Sequence, residues 1–289
     1  MDKKIEIRQP RTSGEFRYIE HIQKDAWGAN DIDITPTHVC VAVGLANGCV
    51  YLAFDGEKPI GFVWGFFGLE SNKLYLHSHQ LGVLREYQNR NIGYMLKLRQ
   101  RDFALSHGID LIKWTFDPLQ SKNAYFNFNK LGVVCRKYII DLYGEIRDNL
   151  NRGLPSDRML VEWHINSLRV IKRIRGERPP KYEFLPINIP KINEVKYVNG
   201  VPHVISVDLD LNDSFLLVEI PSNYAELRAR NFNLVLDWRI TLRRIFTAYM
   251  NRGYIVVDLV QDQAKRRLFY VLTSLELDSV LNQDWWVVR

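Results

Sequence analysis

Between Lys73 and Gly108 the spacing of apolar residues changes from two to three and four, and the change falls across one polar turn. The stretch KLYLHSHQLGV alternates as a strand does, so that period-two spacing puts His77, His79, Leu81 and Val83 on one face. From Asn91 onward Ile92, Met95, Leu96 and Phe103 follow helical spacing, and Gly108 stands where a left-handed cap would end the helix. Between the two lies Gln88-Asn89-Arg90-Asn91-Ile92-Gly93. A strand delivered through a Gly-containing turn into a helix points to layered α/β architecture. It also builds an anion site, because the first helical N–H groups have no partner inside the helix and the dipole favours negative charge.

The flanking sequence extends this pattern. Residues 5–9 alternate as a short strand, and Thr12-Ser13-Gly14-Glu15 has the form of a capping box before a helix through Trp27. Residues 28–49 give no periodic signal and read as a loop, while 50–70 read as two strands joined by a turn at Asp55-Gly56. After Gly108 come a buried strand (IDLIKWTF), a break at Asp117-Pro118, a short helix (SKNAYFNFNKL) and two further strands. The fold class is therefore α/β (α+β), a mixed sheet flanked by helices over 1–166. Residues 167–193 are basic and then proline-rich, a linker by composition. Residues 194–289 predict a smaller α/β extension: three strands, one long helix over 222–252, and two closing strands. A faint echo, NKLGV before a strand in the first part and NRGY before one in the second, leaves open a degenerate copy of the first domain.

Composition narrows the function classes. With 289 residues, 46% of them apolar, the chain has material for one large core or two smaller ones. Three cysteines without C-x-x-C spacing suggest neither a disulfide framework nor a zinc site, so no metal is expected. The net charge of +6 suits anionic ligands such as nucleotide phosphates. Nucleic acid is not expected, because the basic run at 169–181 lacks interleaved aromatics. No apolar run reaches the roughly 18 residues of a membrane span, and the charged first residues carry no leader pattern, so no membrane association and a cytoplasmic location are expected.

A strand ending in Leu81-Gly82-Val83, the hexapeptide Gln88 to Gly93 opening a helix, and a later helix with Ala124 that closes on Leu131-Gly132-Val133 resemble the GNAT superfamily of acyl-CoA-dependent N-acyltransferases. More closely, DAWG, HSHQLGV, WTFDPL, NAYFN, LYG, NRGLPSDR and VEW resemble a long branch of predicted acetyltransferases that continues past that domain. Two departures stand out. Asn91 occupies the place of the first motif glycine, and asparagine tolerates the left-handed region better than other side chains. Phe128 occupies the place of the usual thiolate-protonating tyrosine.

The resemblance implies an N-acyltransferase: an acyl group moves from CoA to the amine of a small molecule or amino acid by direct attack in a ternary complex. Acetyl-CoA is the default co-substrate, with succinyl or another acyl-CoA open. Leu81, Gly82, Val83, Gln88, Arg90, Asn91, Ile92, Gly93, Tyr94 and Asn123 are the expected coenzyme contacts. His77 is the expected base, with His79 second, since histidine titrates near neutrality. Tyr125, three residues before Phe128, is the substitute acid. Trp27, Asp117, Arg152, Asp157 and Arg158 are candidates for the acceptor site, the arginines suiting a carboxylate. The alternative is a non-catalytic acyl-CoA-binding sensor. The C-terminal piece is expected to narrow the acceptor pocket or to make a homodimer contact.

Overall fold

The computed structural model describes residues 5–146, 152–185 and 189–285; Asn151 of the NRGLPSDR stretch lies outside them. The chain clusters into two compact units, Met1–Trp114 with Glu145–Gly153, and Thr115–Gly144 with Leu154–Arg289.

The first unit contains β1 (Glu6–Arg8), α1 (Ser13–Trp27), α2 (Thr37–Leu45), β2 (Cys49–Asp55), β3 (Lys58–Glu70), β4 (Lys73–Val83), α3 (Ile92–Ser106) and the first part of β5 (Leu111–Phe116). Strands β1 to β4 pair antiparallel in chain order, and β4 pairs parallel with β5. The capping box starts α1 as expected: the Glu15 amide donates to Thr12 Oγ1 at 3.3 Å, and the Glu15 carboxylate accepts from the Arg11 amide at 2.6 Å. Gly28, at φ 62°, ends that helix in the left-handed region. The expected loop at 28–49 contains α2. Its sequence THVCVAVGL is apolar nearly all round, so it has no stripe that periodicity could reveal.

One feature of β4 departs from simple alternation. Gly65 pairs with Ser78 and Trp64 with Gln80, so His79 is an extra residue, a β-bulge. A bulge switches the parity of the strand. Ser78 accepts from Lys97 of α3, and three residues later Leu81 lies against Gly93 of the same helix. The side chains of His77 and His79 instead meet the rings of Phe66 and Trp64, while Gln80 accepts from Trp64 Nε1 at 2.9 Å and from the Thr35 hydroxyl at 3.2 Å. The expectation that His77, His79, Leu81 and Val83 share a face is therefore corrected. The histidines keep one face, and Leu81 goes to the other.

The second unit contains α4 (Ser121–Ala124), which runs on as a π-helical segment (Tyr125–Leu131), then β6 (Val134–Ile139), β7 (Arg158–His164), α5 (Leu168–Ile174), β8 (Asn193–Val198), β9 (Val201–Val207), β10 (Phe215–Ile220), α6 (Tyr224–Arg230), α7 (Phe232–Asn251), β11 (Ile255–Asp262), β12 (Arg267–Thr273) and α8 (Leu277–Asn282). Its main sheet runs β7-β6-β11-β12-β10, with β8 and β9 as a separate hairpin. The single helix expected over 222–252 is two. Asn231 adopts an extended conformation at φ −156° and caps α7, accepting from the Leu234 amide at 3.1 Å. Leu227, Leu234, Trp238, Ile245 and Tyr249 are all buried.

No helix among the described residues is long and apolar enough to cross a membrane. Among them there is also no group of three or more His, Cys, Asp or Glu side chains able to hold a metal ion.

Candidate functional site

The hexapeptide folds as a left-handed entry to α3. Asn89 (φ 63°) and Asn91 (φ 60°) both lie in the region that favours glycine, and asparagine is the side chain best able to replace it there. Asn91 is the N-cap, yet its side chain gives the helix no capping hydrogen bond. The first amides, Ile92 and Gly93 among them, therefore have no acceptor inside the helix. Gly93 is the informative residue. A Cβ built on it would meet nothing closer than Leu81 Cδ2 at 3.4 Å, an ordinary contact. Packing within the unit does not demand glycine there, and glycine weakens a helix by about 1 kcal/mol relative to alanine.

Side chains around this mouth are held from behind. Gln88 Nε2 donates to the Val83 carbonyl at 3.2 Å, tying the hexapeptide to the end of β4. The Arg90 guanidinium lies 5.0 Å from the centre of the Tyr87 ring, and Tyr87 donates to Asp55 at 2.9 Å. Tyr94 lies in the first turn of α3.

Beside the helix mouth the sheet opens. Strand β4 pairs with β5 at Leu76–Ile112 and His77–Lys113, and Ser78 to Val83 continue past that ladder with no β5 partner among the described residues. On its other side the same segment stays paired with β3, through Phe62–Gly82 and Gly61–Val83. Leu81, Gly82 and Val83 thus form a strand end with one edge open, next in sequence to the turn that enters α3.

The two histidines lie at the same place on the opposite face from α3. Their ring centroids are 5.8 Å apart, His77 is 5.0 Å from Phe66, and His79 is 4.5 Å from Trp64. Burial, helped by His79 and the Lys97 cation, pushes His77 down to about 4, and burial also lowers His79. Both imidazoles are therefore neutral at pH 7, so their nitrogens can accept a proton, but His77 is a weaker base than its sequence suggested. Trp27 packs edge-on against Phe62 at 6.0 Å. Arg152 is exposed in the same unit.

The remaining expected residues belong to the second unit. Tyr125 is 41% exposed on the π-helical segment, and Asn123 is exposed just before it. Phe128 is fully buried against Phe116 and Tyr270, which explains an apolar residue there. Asp117 is 6% exposed and gripped by both nitrogens of Arg239, at 2.8 and 2.6 Å. Asp157 is fully buried, held by Arg243 at 2.9 and 2.8 Å and by the Tyr138 hydroxyl at 2.9 Å. Arg158 is buried too, over the Tyr143 ring at 5.6 Å and donating to the Asp157 carbonyl at 2.9 Å. Asp117, Asp157 and Arg158 are thus occupied in internal networks. Arg239 is itself 1% exposed, its charge balanced by Asp117.

Sequence reasoning missed Lys97, Ser78, Gln80 and Gly65, which build the bulge. The signal for Lys97 was present: it stands four residues after Gly93 and seven before the buried Ala104, inside the inward stripe of α3.

Residues 16–132 match the model of the acetyltransferase (GNAT) family. Solved structures with a similar chain path include the ribosomal-protein-S18-alanine N-acetyltransferase of Escherichia coli, 13% identical, covering 55% of this chain and 92% of that one with a TM-score of 0.44. Naa50 of Arabidopsis thaliana in complex with the bisubstrate analogue CoA-Ac-MVNAL is 17% identical, covering 55% and 97% with a TM-score of 0.44. A putative acetyltransferase of Salmonella typhimurium, yncA, with its cofactor acetyl-CoA is 14% identical, covering 56% and 94% with a TM-score of 0.46. None of the curated proteins compared with the chain matches it. Its helix-mouth hexapeptide and open strand end both fall within residues 16–132, the part of the chain that matches the acetyltransferase (GNAT) family model.

Proposed function

We propose that the protein transfers an acyl group, acetyl by default, from acyl-CoA to the amine of a small molecule or amino acid. The observation that carries this reading is the pairing of a glycine-bearing helix mouth with an open strand edge in one unit. The amides around Asn91 to Tyr94, with Arg90 and Gln88 beside them, suit the diphosphate of CoA, and Gly93 lets it approach the backbone. The unpaired edge of β4 supplies amide donors for the thioester carbonyl as it becomes an oxyanion.

In the reaction the amine lone pair attacks the thioester carbon, the carbon–sulfur bond breaks, and the CoA sulfur leaves with the electron pair. The amine gives up a proton and the sulfur takes one. Neutral His77 receives the amine proton, directly or through water, with His79 as the second acceptor. Tyr125 is the donor to sulfur where one is needed; a CoA thiol resembles a cysteine thiol, with a pKa of about 8.5, and leaves readily without it. Trp27 and the exposed Arg152 serve the acceptor side. Mixing the protein with acetyl-CoA or succinyl-CoA and a panel of amines tests the reading: release of free thiol that depends on the amine supports it, and release no faster than hydrolysis rejects it.

The second reading is an acyl-CoA-binding sensor without turnover, favoured by the buried Phe128 at the expected acid position. It requires binding without amine-dependent thiol release. Residues 194–289 narrow the acceptor pocket or make a homodimer contact; a chain truncated at about residue 190 that stays folded and fully active would contradict the pocket version.

A further inference from the structure

Lys97 is a cation where a cation is costly. It is 3% exposed, and among the described residues no carboxylate is hydrogen-bonded to it. Its ammonium donates to Ser78 Oγ at 2.7 Å and to Gln100 Oε1 at 3.2 Å, and lies 3.6 Å from the centre of the Trp114 ring. Two neutral acceptors and one aromatic face thus occupy its donors. A helix stripe that merely needed filling would be served better by methionine or leucine.

The acceptor Ser78 immediately precedes the bulge residue His79, and Gln80, immediately after it, is held from the opposite face by Trp64 Nε1 at 2.9 Å. A bulge that slides by one residue exchanges the faces of the side chains it passes. Two clamps on opposite faces, one on each neighbour of His79, hold it in place. Everything beyond it, including the face taken by Leu81 and the aim of the open β4 edge, depends on that position.

We propose that Lys97 is a positioning residue for acyl transfer: its ammonium grips Ser78 from the α3 side and fixes the bulge at His79, which aims the open edge of β4 at the thioester. This rests on the transferase reading above. The grip is strongest in the charged form, whose hydrogen bonds to both oxygens are charge-assisted and whose cation attracts the Trp114 ring. Burial pushes Lys97 down to about 7, so the grip weakens as pH rises through neutrality. The titratable groups felt around it are Cys49 of β2, whose thiol burial pushes up to about 12, and His77 of β4; both are neutral at pH 7. Trp114 of β5 and Gln100 of α3 carry no charge.

The test compares amine-dependent thiol release from pH 5.5 to 9 for the wild type, Lys97→Met, Lys97→Arg and Ser78→Ala, with acetyl-CoA binding followed separately by thermal shift. The wild type is expected to lose kcat on an alkaline limb centred near 7. Lys97→Met is expected to lose about tenfold to a hundredfold in kcat, the scale of a misaimed site, and to lose the limb, with KM for acetyl-CoA changed by less than about threefold. Lys97→Arg, which stays charged, is expected to recover part of kcat and to move the limb beyond pH 9. If Lys97→Met fails to fold, Ser78→Ala reads the same clamp with the cation in place, and its kcat should fall likewise. A wild-type limb that persists in Lys97→Met, or an unchanged kcat in Ser78→Ala, overturns the inference alone. A wild type that binds acetyl-CoA without turnover, or does not bind it, overturns the transferase reading and this inference with it.

Discussion

Gly65 and His77 approach so closely across β3 and β4 that a Cβ on Gly65 would stand 2.4 Å from the His77 carbonyl oxygen. Backbone on backbone at that distance cannot relax by a rotamer change. The bulge at His79 and the glycine opposite are one feature, and Gly65→Ala must push the two strands apart. The variant is expected to lose about 1–3 kcal/mol of stability, the usual cost of overpacking, and most of its transfer activity. Urea melts and thiol release measure both; a variant that melts and turns over like the wild type would show that the strands do not need this approach.

Gly93→Ala should behave in the opposite sense for stability. Its Cβ has room, and alanine favours the helix by about 1 kcal/mol, so the melting temperature should hold or rise. If the proposed diphosphate site is right, acetyl-CoA affinity should fall at least tenfold, about 1.4 kcal/mol, because the methyl group would stand in its way. Calorimetric titration checks this, and unchanged affinity would place the ligand elsewhere.

Lys97 makes stability depend on pH in a definite direction. Its folded value, about 7, lies below the unfolded value, roughly 10.4, so between these limits the unfolded chain binds more protons and stability rises with pH. Below 7 the burial cost is fully present. Lys97→Met should therefore be more stable than the wild type at pH 7, on the order of 3 kcal/mol, and the gain should shrink toward pH 10. Denaturant titrations at pH 7 and 9.5 compare the two; equal gains at both would mean that Lys97 does not titrate in this window.

The Asp117–Arg239 pair is a matter of integrity rather than of substrate binding. Arg239→Met leaves a buried carboxylate without its bidentate partner and should cost about 3–5 kcal/mol, whereas adding Asp117→Asn to it should restore part of the loss. Purely additive losses in a double-mutant cycle would contradict this.

The sequence carried the elements whose periodicity is strong. The strand Lys73–Val83 and the helix opened by Asn91 were legible because one face of each is buried and the other is not. Helix α2 was not, because an element apolar all round has no period to read. The bulge at His79 escaped for a different reason. It is set by the pairing of Ser78 with Gly65, thirteen residues away across a turn, and strict alternation from Lys73 assigns Leu81 to the wrong face without any local sign of error. The break at Asn231 was legible in principle, since asparagine is a favoured N-cap residue, but the uninterrupted apolar spacing on either side hid it. Burial of Asp117 and Asp157 depended on Arg239 and Arg243, 122 and 86 positions away, which no local pattern reports.

The claim on which the rest depends is that the mouth of α3 holds the diphosphate of an acyl-CoA. Thermal unfolding with acetyl-CoA and with S-acetylpantetheine, which carries the same thioester without the diphosphate, tests it most directly. At a hundred times its dissociation constant acetyl-CoA should add about 2.7 kcal/mol and raise the melting temperature by several degrees, while S-acetylpantetheine at the same concentration should leave it unchanged. No shift with acetyl-CoA, or equal shifts with both, would contradict the account.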